Sequence, residues 1–95
     1  MLGRWTFLTN HAHVLVVISA DPELRLRDIA ERVGITERAT QLIVKDLTAA
    51  GYLAKERVGR RNRYTVAAAR PLRHPQEAGV SVDSLLAIFR SPTER

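Results

Sequence analysis

The sequence predicts a mainly α-helical domain with a small β-hairpin, an α+β architecture, and three observations predict it. First, the stretch 29–47 divides at Gly34 into two helical periods. Ile29, Ala30 and Val33 share one face, and Thr40, Ile43, Val44 and Leu47 then recur at i, i+3, i+4 and i+7. Second, beyond Gly51 the period falls to two, with Tyr64 and Val66 alternating with Arg63 and Thr65 as in a half-buried strand. Third, helical spacing returns with Val82, Leu85, Leu86 and Phe89 behind Ser81, a good N-cap. The expected order is α-β-α-α-β-β plus a C-terminal helix. A chain of 95 residues makes one small domain, burying roughly 60–70% of its extended-chain surface.

Each element has a local cause. Residues 1–8 form an N-terminal arm holding Arg4, Trp5 and Phe7. Thr9 or Asn10 caps a first helix running to about Ala20. The β-branched run Val14–Ile18 suits a strand equally well, but a helix has to precede the two-helix unit for its core to close. Asp21-Pro22 ends that element. Leu24-Arg25-Leu26-Arg27 reads as a short extended piece, a minimal strand. Asp28 and Glu31 then favour the positive end of the next helix, with Arg27 an unexplained residue at the cap. Gly34 can take φ > 0 as the C′ residue, and Thr36 caps a second helix that Gly51 stops. Strands over 52–58 and 62–66 flank a turn at Gly59-Arg60-Arg61. Residues 9–69 thus form the main domain, 70–80 (with PLRHP at 71–75) a stiff connector, 81–90 a C-terminal helix and 91–95 a disordered tail.

Charge is placed unevenly. The net +5 and pI near 10.7 suit an anionic partner. Residues 1–33 cancel, whereas 34–66 carry seven basic and three acidic side chains. Lys45 and Lys55 are the only lysines among fifteen basic residues. The absence of cysteine excludes disulfides and thiolate metal sites and suits a reducing compartment. His11 and His13 lie two apart, about 200° around a helix, and His74 is isolated, so no metal or other cofactor is expected. The longest apolar run, Val14–Ile18, is too short to span a bilayer. A soluble intracellular protein with no membrane partner follows.

Two helices joined through a short glycine-containing turn form the helix-turn-helix pattern, whose second helix enters the DNA major groove. Asp28-Ile29-Ala30-Glu31-Arg32-Val33-Gly34-Ile35-Thr36 resembles the shared opening of MarR-like, ArsR-like and related regulators. Leu47-Thr48-Ala49-Ala50-Gly51-Tyr52-Leu53 is similar to their recognition-helix exit, and Gly59-Arg60 with Tyr64 and Val66 to an ArsR-type wing. Val58 stands where MarR-type wings carry an acid, and the ArsR-type cysteine sensors are absent. The resemblance covers about 9–66 and implies a winged helix-turn-helix transcription regulator of prokaryotic cytoplasm, associated with the nucleoid. Carried over by position, Thr36, Glu37, Arg38, Gln41, Leu42 and Lys45 would face the groove. Arg38 suits guanine, Gln41 adenine and Leu42 a thymine methyl. Arg57, Arg60, Arg61 and Arg63 would meet phosphate.

Trp5, Phe7, Val82, Leu85, Leu86 and Phe89 make more apolar surface than a lone small domain needs, and a homodimer seam is expected there; the 82–89 stripe serves equally as domain core. The partners expected are therefore double-stranded DNA and a second copy, with the effector unknown. Two rivals stand beside a sequence-specific regulator. One is a winged-helix protein-interaction module or a non-specific architectural factor; a protein-binding winged helix needs no all-basic wing, and an architectural factor would bind any duplex equally. The other is an enzyme, but no phosphate loop, activated nucleophile or paired buried carboxylates are present.

Overall fold

The computed structural model describes residues 5–90, so Arg4 of the expected arm and the 91–95 tail lie outside the described residues. In chain order they form α1 (Asn10–Ala20), α2 (Leu26–Val33), α3 (Glu37–Ala49), β1 (Leu53–Val58), β2 (Arg61–Val66), a 3-10 turn at Pro75–Glu77, and α4 (Val82–Ile88). The expected fold class holds: four helices and an antiparallel hairpin.

Helix α1 starts where Thr9 Oγ1 accepts from the Ala12 amide at 3.2 Å. Its β-branched run is helical because the helix is covered on several sides. Val14, Leu15 and Ile18 are buried and Val16 and Val17 half-buried, with α2, α3, β2 and α4 all packed against α1. Tertiary burial here outweighs a weak local preference.

The strand expected at 24–27 does not form. Leu26 is the first residue of α2, and Leu26, Ile29, Ala30 and Val33 complete one helical stripe. What remains of a third strand is one rung, in which the Tyr64 amide donates to the Pro22 carbonyl at 3.0 Å. The sheet among the described residues has two strands. The cap of α2 also shifts: it is Arg25, and Arg27 lies inside the first turn. Arg25 offers the helix amides no side-chain acceptor, but its Nε donates to Asp28 Oδ2 at 3.1 Å. That hydrogen bond is the main reason the Asp28 carboxyl titrates below its ordinary range.

Gly34 closes α2 at φ 88, and Thr36 Oγ1 accepts from the Ala39 amide at 3.0 Å to open α3. Thr40, Ile43, Val44 and Leu47 are buried as their spacing predicts, and the buried Thr40 hydroxyl donates to the Thr36 carbonyl. Together with Ile29, Tyr52, Leu53 and Tyr64 they form one core beneath α3 and the hairpin.

The C-terminal part folds back onto this core. Residues 70–80, expected as a stiff connector, form a closed loop. The Leu72 amide donates to the Val80 carbonyl at 2.9 Å, the Val82 amide to the Arg70 carbonyl, and the Asp83 amide to the Ala68 carbonyl. Ser81 caps α4 by accepting from the Ser84 amide. Val82 (1% exposed) and Leu86 (4%) belong to the domain core, the one of the two places expected for the 82–89 stripe that takes them out of a dimer seam. Leu85 is half-buried, whereas Ile88 (71%) and Phe89 (49%) face outward. Trp5 and Phe7 are also exposed, stacked edge to face with ring centroids 5.1 Å apart. No helix among the described residues is long and apolar enough to cross a membrane.

Candidate nucleic-acid interface

The geometry of α3 follows from which of its faces is buried. With Thr40, Ile43, Val44 and Leu47 turned inward, Arg38, Gln41, Leu42 and Lys45 fall on the opposite side at i, i+3, i+4 and i+7, all exposed. Leu42 is 50% exposed, an apolar side chain on an otherwise polar stripe. Thr36 and Glu37 stand exposed at the helix entrance. The acceptor of Thr36 is occupied by the Ala39 amide, which leaves its hydroxyl hydrogen free to donate. Asp46 points away from the stripe, with Oδ2 2.9 Å from His11 Nε2 on α1. Of the six residues expected from sequence to face the groove, Glu37, Arg38, Gln41, Leu42 and Lys45 therefore lie on α3, and Thr36 is its N-cap.

The wing is a tight hairpin. Val58 pairs with Arg61, leaving only Gly59 and Arg60 in the turn. Gly59 takes φ 64 at the first of these positions, the glycine-demanding site of a II′-type hairpin. Arg61, expected in the turn, begins β2. This register divides the four wing arginines. Residues directly opposite share a face, so Arg57 lies with Asn62, and Lys55 with Tyr64. Arg61 and Arg63 are on the other face with Val58 and Glu56, and Arg60 sits at the tip. Arg63 is also drawn to Glu23, Nε to Oε2 3.5 Å, across to the turn before α2.

Between α3 and the wing lies a notch of about 410 Å³, lined by Gln41, Lys45 and Thr48 from the helix and Lys55, Asn62 and Tyr64 from the hairpin. Lys55 and Asn62 were not singled out from sequence as contacts. Strand parity is the signal that finds them: Tyr64 has to face the core, so its partner Lys55 and its i−2 neighbour Asn62 share that side. Burial raises the Tyr64 phenol above its ordinary value, which keeps its hydroxyl protonated.

The far end of α3 is clasped by the returning loop. Arg70 Nη2 donates to the Ala50 carbonyl at 3.0 Å, and its guanidinium lies 5.5 Å from the Tyr52 ring centroid. The Tyr52 hydroxyl donates to the Pro71 carbonyl. Beside this clasp opens a second, larger cleft of about 910 Å³, bordered by Phe7, His11, Leu15, Tyr52, Leu72 and Leu85 among others. His13 bonds Asn10 and His74 caps the 3-10 turn, and among the described residues no group of three His, Asp or Glu could hold a metal.

Comparison with known proteins agrees with this geometry. The MarR family model matches residues 6–63, more than half of the chain. Among solved structures the chain is similar to the PcaV transcriptional regulator from Streptomyces coelicolor, described in complex with its natural ligand. The identity is 23% and the TM-score 0.55, covering 92% of this chain and 65% of that one. It is also similar to the Mycobacterium tuberculosis MarR family protein Rv2887, described in complex with salicylic acid. There the identity is 17% and the TM-score 0.52, covering 92% of this chain and 69% of the other. These two likenesses are likenesses of fold, and the chain spans just under two thirds of PcaV. No curated protein sequence matches. A two-helix unit with an exposed polar stripe, a basic hairpin beside it and a family match across both lead to one assignment: the chain belongs to the MarR family, whose members are DNA-binding transcription regulators and not enzymes.

Proposed function

We propose that the chain binds double-stranded DNA sequence-specifically, as a homodimer reading a palindromic operator through α3 and an arginine-rich wing. The observation that carries this is the exposed stripe Arg38, Gln41, Leu42 and Lys45, which stands over a fully packed face and has no partner of its own among the described residues. Arg38 has the bidentate geometry for guanine O6 and N7, Gln41 for adenine N6 and N7, and Leu42 a surface for a thymine methyl. Thr36 and Glu37 reach bases from the helix entrance, the carboxylate as an acceptor for cytosine N4. Arg57, Arg60 and Arg61 supply the phosphate contacts, with Arg63 a weaker contributor because Glu23 holds it.

One helix reads only a few base pairs, and two-fold pairing places two helices about 34 Å apart, one turn of DNA. Trp5, Phe7, Ile88 and Phe89 form the exposed apolar surface for that pairing, with Leu85 at its edge. A soluble cytoplasmic location beside the nucleoid accords with this role. The two structural neighbours were described with ligands. An effector of this chain would enter the 910 Å³ cleft, where Tyr52 and Ala50 join it to the end of α3.

Selection of bound sequences from a random duplex pool tests the proposal. The expected result is an enriched palindrome with half-sites one helical turn apart. A pool that stays random while duplex is still retained would instead identify a non-specific architectural protein.

A further inference from the structure

We propose that Glu23 limits the sequence-independent grip of this chain on DNA by holding Arg63 away from the phosphate backbone. This deepens the DNA-binding reading and rests on it. It gives a role in binding to a residue that lies outside both α3 and the wing.

The wing arginines are not equivalent. Among the described residues Arg63 is the only one of the four with a carboxylate within 4 Å, its Nε lying 3.5 Å from Glu23 Oε2. That partner is not the local one. The hairpin register sets Glu56 directly opposite Arg63 on the same face, where opposite charges ordinarily pair. Arg63 pairs instead with the turn between α1 and α2.

The attachment is built on both sides. Asp21 Oδ1 accepts from the Glu23 amide at 3.3 Å, so the turn that carries the carboxylate is itself fixed. The neighbours of the two charged residues are joined as well, the Tyr64 amide donating to the Pro22 carbonyl at 3.0 Å. An ion pair and a backbone hydrogen bond on consecutive residues thus tie the middle of β2 to the body of the domain.

The consequence is electrostatic. Arg57, Arg60 and Arg61 meet a phosphate without giving up an ion pair among the described residues. For Arg63 to do the same it has to leave Glu23, and an uncompensated carboxylate then remains beside the DNA. The pair is a modest one, because its side chains are 52% and 44% exposed. A single phosphate contact in solvent is modest too, so the carboxylate competes with it on even terms. Glu23 therefore takes one arginine out of the salt-dependent term while the base-facing stripe of α3 stays as it is.

The test is the salt dependence of affinity for a duplex of arbitrary sequence. Fluorescence anisotropy on the full chain compares wild type, Glu23→Gln, Arg63→Gln and the double variant. Glu23→Gln should bind roughly two- to fivefold more tightly at moderate salt. It should steepen the slope of log K against log salt by up to about 0.9, the increment of one phosphate contact. Arg63→Gln alone should move the slope by less than about half of that, and the double variant should match Arg63→Gln. The gain is the informative sign, since losing a merely structural contact does not tighten binding. A Glu23→Gln chain that bound no more tightly than wild type would overturn the inference while duplex binding stands. So would a gain that persisted in the double variant, or a full one-contact loss in Arg63→Gln alone. A wild-type chain that bound no duplex would overturn the proposed function and this inference with it.

Discussion

At the scale of single residues, glycines and caps set the directions in which the functional side chains point. Gly34 and Gly51 bracket α3, both in the left-handed region at φ 88 and 85, but their surroundings differ. A Cβ at Gly34 meets nothing within 4 Å, whereas one at Gly51 would fall 2.7 Å from Arg70 Nη2. Gly34→Ala should cost roughly 1–2 kcal/mol of stability, the left-handed penalty alone. Gly51→Ala should cost about 1 kcal/mol more, because Arg70 has to release the Ala50 carbonyl. Urea denaturation of the two variants measures this, and equal losses would mean that the Arg70 clasp contributes nothing. Gly34, Thr36 and Thr40 were legible in sequence because each answers a local requirement. The Arg25–Asp28 pair was not: the Leu-Arg-Leu-Arg alternation hides a helical stripe that begins at Leu26, and Ile29, Ala30 and Val33 complete it at i+3, i+4 and i+7.

At the scale of elements, α4 shows where periodicity stops being informative. Spacing alone makes Val82, Leu85, Leu86 and Phe89 one apolar stripe, but what covers a stripe depends on the turn that delivers it. Here the 70–80 loop closes on itself and lays the first turn of α4 on α1, so Val82 and Leu86 are covered while Ile88 and Phe89 are not. Leu86→Asp should therefore destabilise the domain by about 2–5 kcal/mol, as loss of a large core side chain does, with the added charge a further burden. Phe89→Asp should keep stability within about 0.5 kcal/mol and reduce self-association. Denaturation together with sedimentation velocity separates the two. A Leu86→Asp chain as stable as wild type would place α4 outside the core. A Phe89→Asp chain that dimerised like wild type would remove that residue from the seam. The hairpin teaches the converse lesson. Its existence and its arginines were legible, but the partition of Arg57 from Arg61 and Arg63 depends on a register that a turn of two residues, and not three, determines.

At the scale of the whole molecule, one face collects what a duplex needs. Residues 34–66 hold the excess positive charge, and folding sets Gln41 and Lys45 of the α3 stripe beside Lys55 and Asn62 of the wing. A second face, where Phe7 and Leu85 border the larger cleft, is joined to the end of α3 through Tyr52 and Arg70. This two-sided layout was partly legible, since charge asymmetry and helical period both pointed to α3. The clefts were not, because each is lined by residues distant in sequence. The central claim is that the outward stripe of α3 reads base sequence and does not merely hold phosphate. Its most direct test is the dissociation constant of Arg38→Ala and of Gln41→Ala on the selected duplex and on a scrambled duplex of equal length. Each variant should lose on the order of 1–3 kcal/mol on the selected duplex and almost nothing on the scrambled one. Equal losses on both duplexes would contradict the claim and reduce α3 to an electrostatic anchor.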